Sequence, residues 1–209
     1  MLRKKPELIF FHTSNQHKLD EASRAMSELQ IKIRSSRDIS SSKPMRSRLD
    51  SVVEPQGENC AFVALSKIVQ VLDLVEHKLN GNWIMVEDSG LFVDALGGFP
   101  GVYSSYVHST VGIKGIVKLL EESKDKSAQY ISSIAFWDGD RVHSVQGHCK
   151  GRISLELRGD AGFGYDPIFI PEAGDGRTFS EMTLLEKTAL SHRTMALKMM
   201  VEKLNFPSM

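Results

Sequence analysis

The chain has 209 residues, enough for a sizeable core in one large domain or two small lobes. Lys plus Arg and Asp plus Glu both number 26, and a net charge near zero argues against a general nucleic-acid or membrane-surface binder. Hydrophobic residues make up 41%, yet no apolar run approaches the length of a membrane span.

Leu8 to His12 ("LIFFH") is short, apolar and without alternation, which predicts a strand buried on both faces. The basic residues before it do not make a signal segment, because the apolar run is too short. Thr13, Ser14 and Asn15 are cap-type residues, and Leu19, Ala22, Met26 and Leu29 then form one helical stripe. A short second strand is predicted near Gln30 to Ile33. Residues 34–57 are polar and basic. They predict mostly loop, with a short strand near Val52 and Val53, and read as a solvated insertion rather than part of a cleft. Residues 58–79 are strongly helical, with Phe62, Leu65, Val69, Leu72 and Val75 as the apolar face and Asn80-Gly81 as the stop.

Trp83 to Val86 predicts another buried strand, with Glu87 and Asp88 at its tip and Ser89-Gly90 turning the chain. Residues 110–122 predict a helix. Residues 128–157 predict antiparallel strands joined by Asp138-Gly139-Asp140. "GFGYDPIFIP", from Gly162, predicts a glycine-rich loop entering a strand at Ile168 to Ile170. Thr183 and Glu186 form a capping box opening a last helix, about Leu184 to Leu204. Helices and buried strands followed by a β-rich half predict an α/β protein with a mixed sheet and two lobes. Dinucleotide and P-loop glycine fingerprints are absent. Cys60 and Cys149 make no CxxC or zinc pattern, which fits reduced thiols in a cytoplasmic protein.

Four stretches could carry chemistry. At Thr13-Ser14-Asn15 a strand feeds a helix start, whose free N–H groups suit an anion, with Lys18 adding charge. A plain N-cap with a solvated lysine explains the same residues. Glu87 and Asp88 are adjacent carboxylates that point to opposite faces of a strand, and a divalent cation such as Mg²⁺ would relieve their repulsion. The alternative is an acidic surface turn. Phe163, between Gly162 and Gly164, could stack on a nucleobase, and Asp166 could accept hydrogen bonds from it. A core phenylalanine in a turn is the plainer explanation. His192 and Arg193 fall within the inward stripe of the last helix, so the arginine needs a partner or lines a polar cleft, while Lys187 could reach a phosphate from the rim. Together the four describe a site for a nucleoside triphosphate with Mg²⁺.

The series "TSNQHKLDEA", "VEDSGLFVDALGGFPGVYSS", "GFGYDPIFIP" and "FSEMTLLEKTALSHRTMAL" runs from Thr13 to Leu197 and resembles the inosine triphosphate pyrophosphatase family. The resemblance implies an elongated two-lobed α/β fold, with helices flanking a long mixed sheet and a central substrate cleft. It implies a Mg²⁺-dependent enzyme, commonly a homodimer, cutting ITP, dITP and XTP to the monophosphate and pyrophosphate. Thr13, Ser14, Asn15 and Lys18 would hold the triphosphate, and Ser89 and Gly90 would line the acidic turn. Asp88 would be the catalytic carboxylate, with Lys67 beside it and Glu54, Glu87 and Asp88 as metal ligands. Phe163, Gly164, Tyr165 and Asp166 would clamp the purine, Lys187 would bind phosphate, and His192 and Arg193 would read the 6-oxo group. Two departures are visible: Ser14 stands where the family has glycine, and Glu58 competes with Glu54. A Maf-type pyrophosphatase for pyrimidine or modified nucleotides and a non-catalytic nucleotide-binding regulator are the alternatives.

Overall fold

The computed structural model describes residues 5–203. Among them, β1 (Leu8–His12), β2 (Lys32–Ser35), β3 (Trp83–Val93), β4 (Ser127–Trp137), β5 (Val142–Ile153) and β6 (Phe169–Pro171) form one sheet in the order β2-β1-β3-β4-β5-β6. β1 runs parallel to β2 and β3, whereas β3, β4, β5 and β6 pair antiparallel, so the sheet is mixed. The helices are α1 (Gln16–Ser27), α2 (Lys43–Asp50), α3 (Cys60–Val75), α4 (Ser104–Thr110), α5 (Gly112–Leu120), α6 (Leu184–Leu190) and α7 (His192–Glu202).

The unalternating apolar strands are buried on both faces because helices cover both. On one face Ile9, Phe11, Met85 and Ile134 pack with Met26 of α1 and Met200 of α7. Further along that face Leu91, Val93 and Tyr130 pack with Ile116 and Leu120 of α5 and with Phe169 and Phe179. On the other face Phe10, Ile84, Val86 and Ala135 pack with Leu49 of α2 and Ile68 and Val71 of α3.

Several sequence expectations change. β3 does not stop at Val86. Its first half pairs with β1, whose last residue His12 sits opposite Val86, and it then continues to Val93 against β4. Glu87 and Asp88 therefore lie mid-strand, at the point where β1 ends. Gly90 is needed not for a turn but because a Cβ there would strike the Gly101 carbonyl oxygen. Residues 43–50 are helical, and no strand forms at Val52 and Val53. Instead, the Gln70 side chain pairs with both the N–H and the carbonyl of Val53. The last helix breaks at Ser191, whose extended backbone (ψ 146°) and hydroxyl cap the separate α7. The expected end of that helix at Leu204 lies outside the described residues.

Candidate active site

A cavity of about 650 Å³ opens along the carboxyl ends of β1 and β2 and across the middle of β3. Ligand sites in α/β sheets favour this edge, because loops and helix starts converge there.

Thr13, Ser14 and Asn15 link β1 to α1. Asn15 caps the helix, its side chain accepting from the Lys18 N–H at 3.3 Å, and its own N–H donates to Thr13 Oγ1 at 3.1 Å. The described non-glycine residues with positive φ are Gln30 and Asn80, so Ser14 sits in ordinary backbone and its replacement of glycine imposes no strain. The Lys18 ammonium lies 3.6 Å from Glu87 Oε2.

Alternation along β3 sends the two acids to opposite faces. Glu87 is 3% exposed and fully engaged. Ser132 Oγ donates to its Oε1 at 2.7 Å, and Arg193 Nε donates to its Oε2 at 2.9 Å. Burial alone would raise its pKa, but Arg193 and Lys18 hold it well below the usual carboxylate range. Asp88 faces the α3 side. Burial raises its pKa against the pull of Lys18 and the nearby Cys60 thiol, and its Oδ2 is buried without a hydrogen-bond partner. Lys67 Nζ donates to Glu54 Oε1 at 2.6 Å and to the Glu87 carbonyl at 2.9 Å. Glu54 lines the cavity and Glu58 does not.

The three-carboxylate cluster expected of Glu54, Glu87 and Asp88 does not form among the described residues. Glu87 is engaged by Arg193 and Ser132. Asp88 and Glu54 still fit a hard divalent cation. They are carboxylates on one wall, and a buried carboxylate oxygen without a donor needs a positive partner.

On the other face stands an aromatic and ionic wall. The short α6 carries Lys187 inward rather than to the rim. Its ammonium lies 2.6 Å from Asp166 Oδ2, 2.5 Å from Glu21 Oε1 and 4.5 Å from the Phe163 ring centroid. Lys187, expected at the rim, thus stands beside Phe163 and Asp166. Asp166 also accepts from the Phe163 N–H at 2.8 Å, and a Cβ at Gly162 would collide with its carboxylate. Arg193 bridges Glu21 and Glu87, which raise its pKa although burial opposes them. His192 stacks on Tyr130 at 4.6 Å, and burial and Arg193 keep it neutral. Its Nδ1 is buried without a hydrogen-bond partner. Phe163 stacks on His17 at 5.1 Å. Ser89, Gly90, Gly164 and Tyr165 also line the cavity.

Sequence reasoning missed Glu21, Tyr130 and the pair Arg37 and Asp50, which all border or brace the cavity. Glu21 carried a signal: it follows Lys18 by three residues, so both lie on one face of α1. The pair Arg37 and Asp50 carried none, because the segment holding it gives no periodicity.

Fold and site together define an α/β protein whose ligand cleft straddles the carboxyl edge of a mixed sheet. The chain belongs to the Ham1 family, whose sequence profile matches residues 9–203. It is 38% identical over 186 residues to a dITP/XTP pyrophosphatase of Hyperthermus butylicus, covering 89% of this chain and 88% of that one. Over 118 residues it is 56% identical to a dITP/XTP pyrophosphatase of Pyrococcus horikoshii, covering 56% of this chain and 63% of that one. The latter match thus spans less than two thirds of the relative's length. A solved HAM1 protein structure from Coxiella burnetii superimposes with a TM-score of 0.71 at 28% identity, covering 94% of this chain and 98% of that one.

Proposed function

We propose that the chain is a Mg²⁺-dependent nucleoside triphosphate pyrophosphatase that converts ITP, dITP and XTP to the monophosphate and pyrophosphate. The observation that carries this reading is the division of one cavity by Glu87 and Asp88. The aromatic wall with His192 lies on one side, and Asp88, Glu54 and Lys67 lie on the other. The names of the relatives supply the substrates.

The purine stacks on Phe163, within the frame set by Asp166, Lys187, Gly164 and Tyr165. His192 and Arg193 direct hydrogen-bond donors at the 6-oxygen. An adenine amino group there leaves buried donors unpaired, which rejects ATP. The triphosphate crosses the Thr13-Ser14-Asn15 turn toward Lys18 and Lys67. Asp88 and Glu54 hold the divalent ion, which when bound offsets charge on the phosphate oxygens. Asp88 orients the attacking water and accepts its proton, a task suited to a carboxylate whose proton affinity burial has raised. Lys67 fixes Glu54, and Glu87 fixes Arg193. The protein acts in the cytoplasm as a homodimer, without nucleic-acid or membrane partners.

Incubation with Mg²⁺ and ITP, XTP, dITP, ATP, GTP or dTTP tests the reading. Pyrophosphate with IMP is the expected product from ITP. Orthophosphate with IDP, or no product, would overturn it, and a preference for dTTP would favour a Maf-type activity.

A further inference from the structure

The segment 34–53 is largely exposed, but it packs on the sheet through Ser36, Met45 and Leu49, and Ser36, Arg37, Leu49, Asp50 and Val52 line the cavity. Ser36 Oγ is 3.0 Å from His12 Nδ1, which ties the chain after β2 to the end of β1. Arg46 Nε donates to the carbonyl oxygens of Arg37 and Ser40, at 3.3 and 3.2 Å, and holds the next turn against α2. Arg37 and Asp50 are thereby placed on the cavity wall. Leu49, beside Asp50, packs with α3, so this wall lies on the Asp88 side of the sheet.

Arg37 directs Nε and Nη2 at one oxygen, Asp50 Oδ1, at 3.0 and 2.6 Å. Both side chains are about half exposed. An exposed pair of this kind is weakly held and readily exchanged. The other lysines and arginines lining the cavity are more deeply buried, and all but Lys18 are held by close ion pairs. Lys187 and Arg193 are buried against Glu21, Lys67 holds Glu54, and Lys18 faces Glu87. A triphosphate whose α–β bond lies at Asp88 extends its β- and γ-phosphates away from the aromatic wall. Beyond Lys18 and Lys67, Arg37 is the half-exposed cation on that wall, with an exposed partner it can give up.

We propose that Arg37 is a polyphosphate-recognition residue. Its guanidinium leaves Asp50 on substrate entry, binds the terminal phosphate, and stays with the pyrophosphate until that product departs. The inference rests on the pyrophosphatase reading and deepens it. A planar guanidinium matches a phosphate's paired oxygens better than one carboxylate oxygen does. Asp50 has a second effect. In the free protein it neutralises Arg37, and in the complex it repels the phosphate, which favours product release.

Two variants test this, Arg37→Gln and Asp50→Asn, each measured for ITP turnover, pyrophosphate inhibition and IMP inhibition. For Arg37→Gln we expect KM for ITP and the pyrophosphate inhibition constant to rise about tenfold, the size of one charge-assisted contact. IMP inhibition should stay within about twofold of wild type by the same scale. For Asp50→Asn pyrophosphate inhibition should tighten. If Asp50→Asn instead weakens it as much as Arg37→Gln, the pair acts only as a structural brace and the proposal fails. It also fails if Arg37→Gln leaves pyrophosphate inhibition unchanged while wild-type enzyme releases pyrophosphate from ITP. Absence of that release in the wild type removes the parent reading instead.

Discussion

At the scale of single residues, the adjacent acids have different electrostatic tasks. Glu87 is a strut between Ser132, Lys18 and Arg193, held ionised at neutral pH by the two cations, whereas Asp88 keeps a buried oxygen free of donors. Asp88→Asn should therefore lower turnover by at least about a hundredfold, the usual range for a lost general base, while calorimetry still detects nucleotide binding. Near-normal pyrophosphate release would remove Asp88 from its role. Glu21 bridges Lys187 and Arg193. Glu21→Gln leaves their buried charges short of a counter-ion and should cost roughly 3–5 kcal/mol in urea unfolding. His192 adds a pH dependence. Its folded pKa lies below the usual 6.5, so its contribution to stability is intact above that value and lost as pH falls below it. Glu21 and Glu87, both depressed against the opposing effect of burial, contribute above the usual 4.5 and lose it as pH falls further. The unfolding free energy should be greatest near neutral pH, decline below about 6.5 by up to about 1.4 kcal/mol per pH unit for each of His192 and His12, whose pKa burial lowers to about 4, and decline above about 9, where burial resists ionisation of the Cys60 and Cys149 thiols. His192→Gln should remove its own share of the acid decline and leave the shares of His12 and the carboxylates.

At the scale of elements, the site depends on where chains stop. β1 ends beside Val86 while β3 continues, and the exposed corner receives the α1 start, Glu87 and Asp88. Gly90 lets the Gly101–Ser104 stretch lie against β3, with Ser104 Oγ accepting from the Leu91 N–H and donating to the Gly101 carbonyl. Gly90→Ala forces that stretch away, and we expect a loss of about 1–3 kcal/mol in thermal unfolding, the scale of an overpacked core. The sequence shows β1, the β4–β5 pair and the Thr183 capping box because local pattern sets them. It hides the continuation of β3, because Glu87-Asp88-Ser89-Gly90 has the composition of a turn and becomes strand only by pairing with β4. It hides the break at Ser191 for the reverse reason: helical periodicity runs across it, and only the cap on Thr194 N–H marks a new start. That break turns His192 and Arg193 into the cleft. The residue types of the site were thus legible, while the positions of Glu87 and Lys187 in its ionic network were not.

At the scale of the whole molecule, α3 connects the cleft to the outside. Its buried face carries Cys60, Lys67 and Ile68 toward Asp88 and the core, where the sequence had placed Phe62, Leu65 and Val69. Those three are instead 53%, 40% and 55% exposed. They recur at spacings of three and four residues, so they form one apolar stripe on the outer side of the helix that holds Lys67. An apolar helix face in water is a natural self-association surface, and a two-fold dimer lets each copy cover the other's stripe. We expect sedimentation to give twice the chain's mass for the wild type and the single mass for Leu65→Glu, with a melting temperature that depends on concentration only in the wild type. Since Lys67 lies on the opposite side of the same helix, the monomeric variant should also lose turnover more than it loses nucleotide affinity. A Leu65→Glu chain that stays dimeric places the interface elsewhere, and a wild type that sediments as a monomer removes the dimer itself.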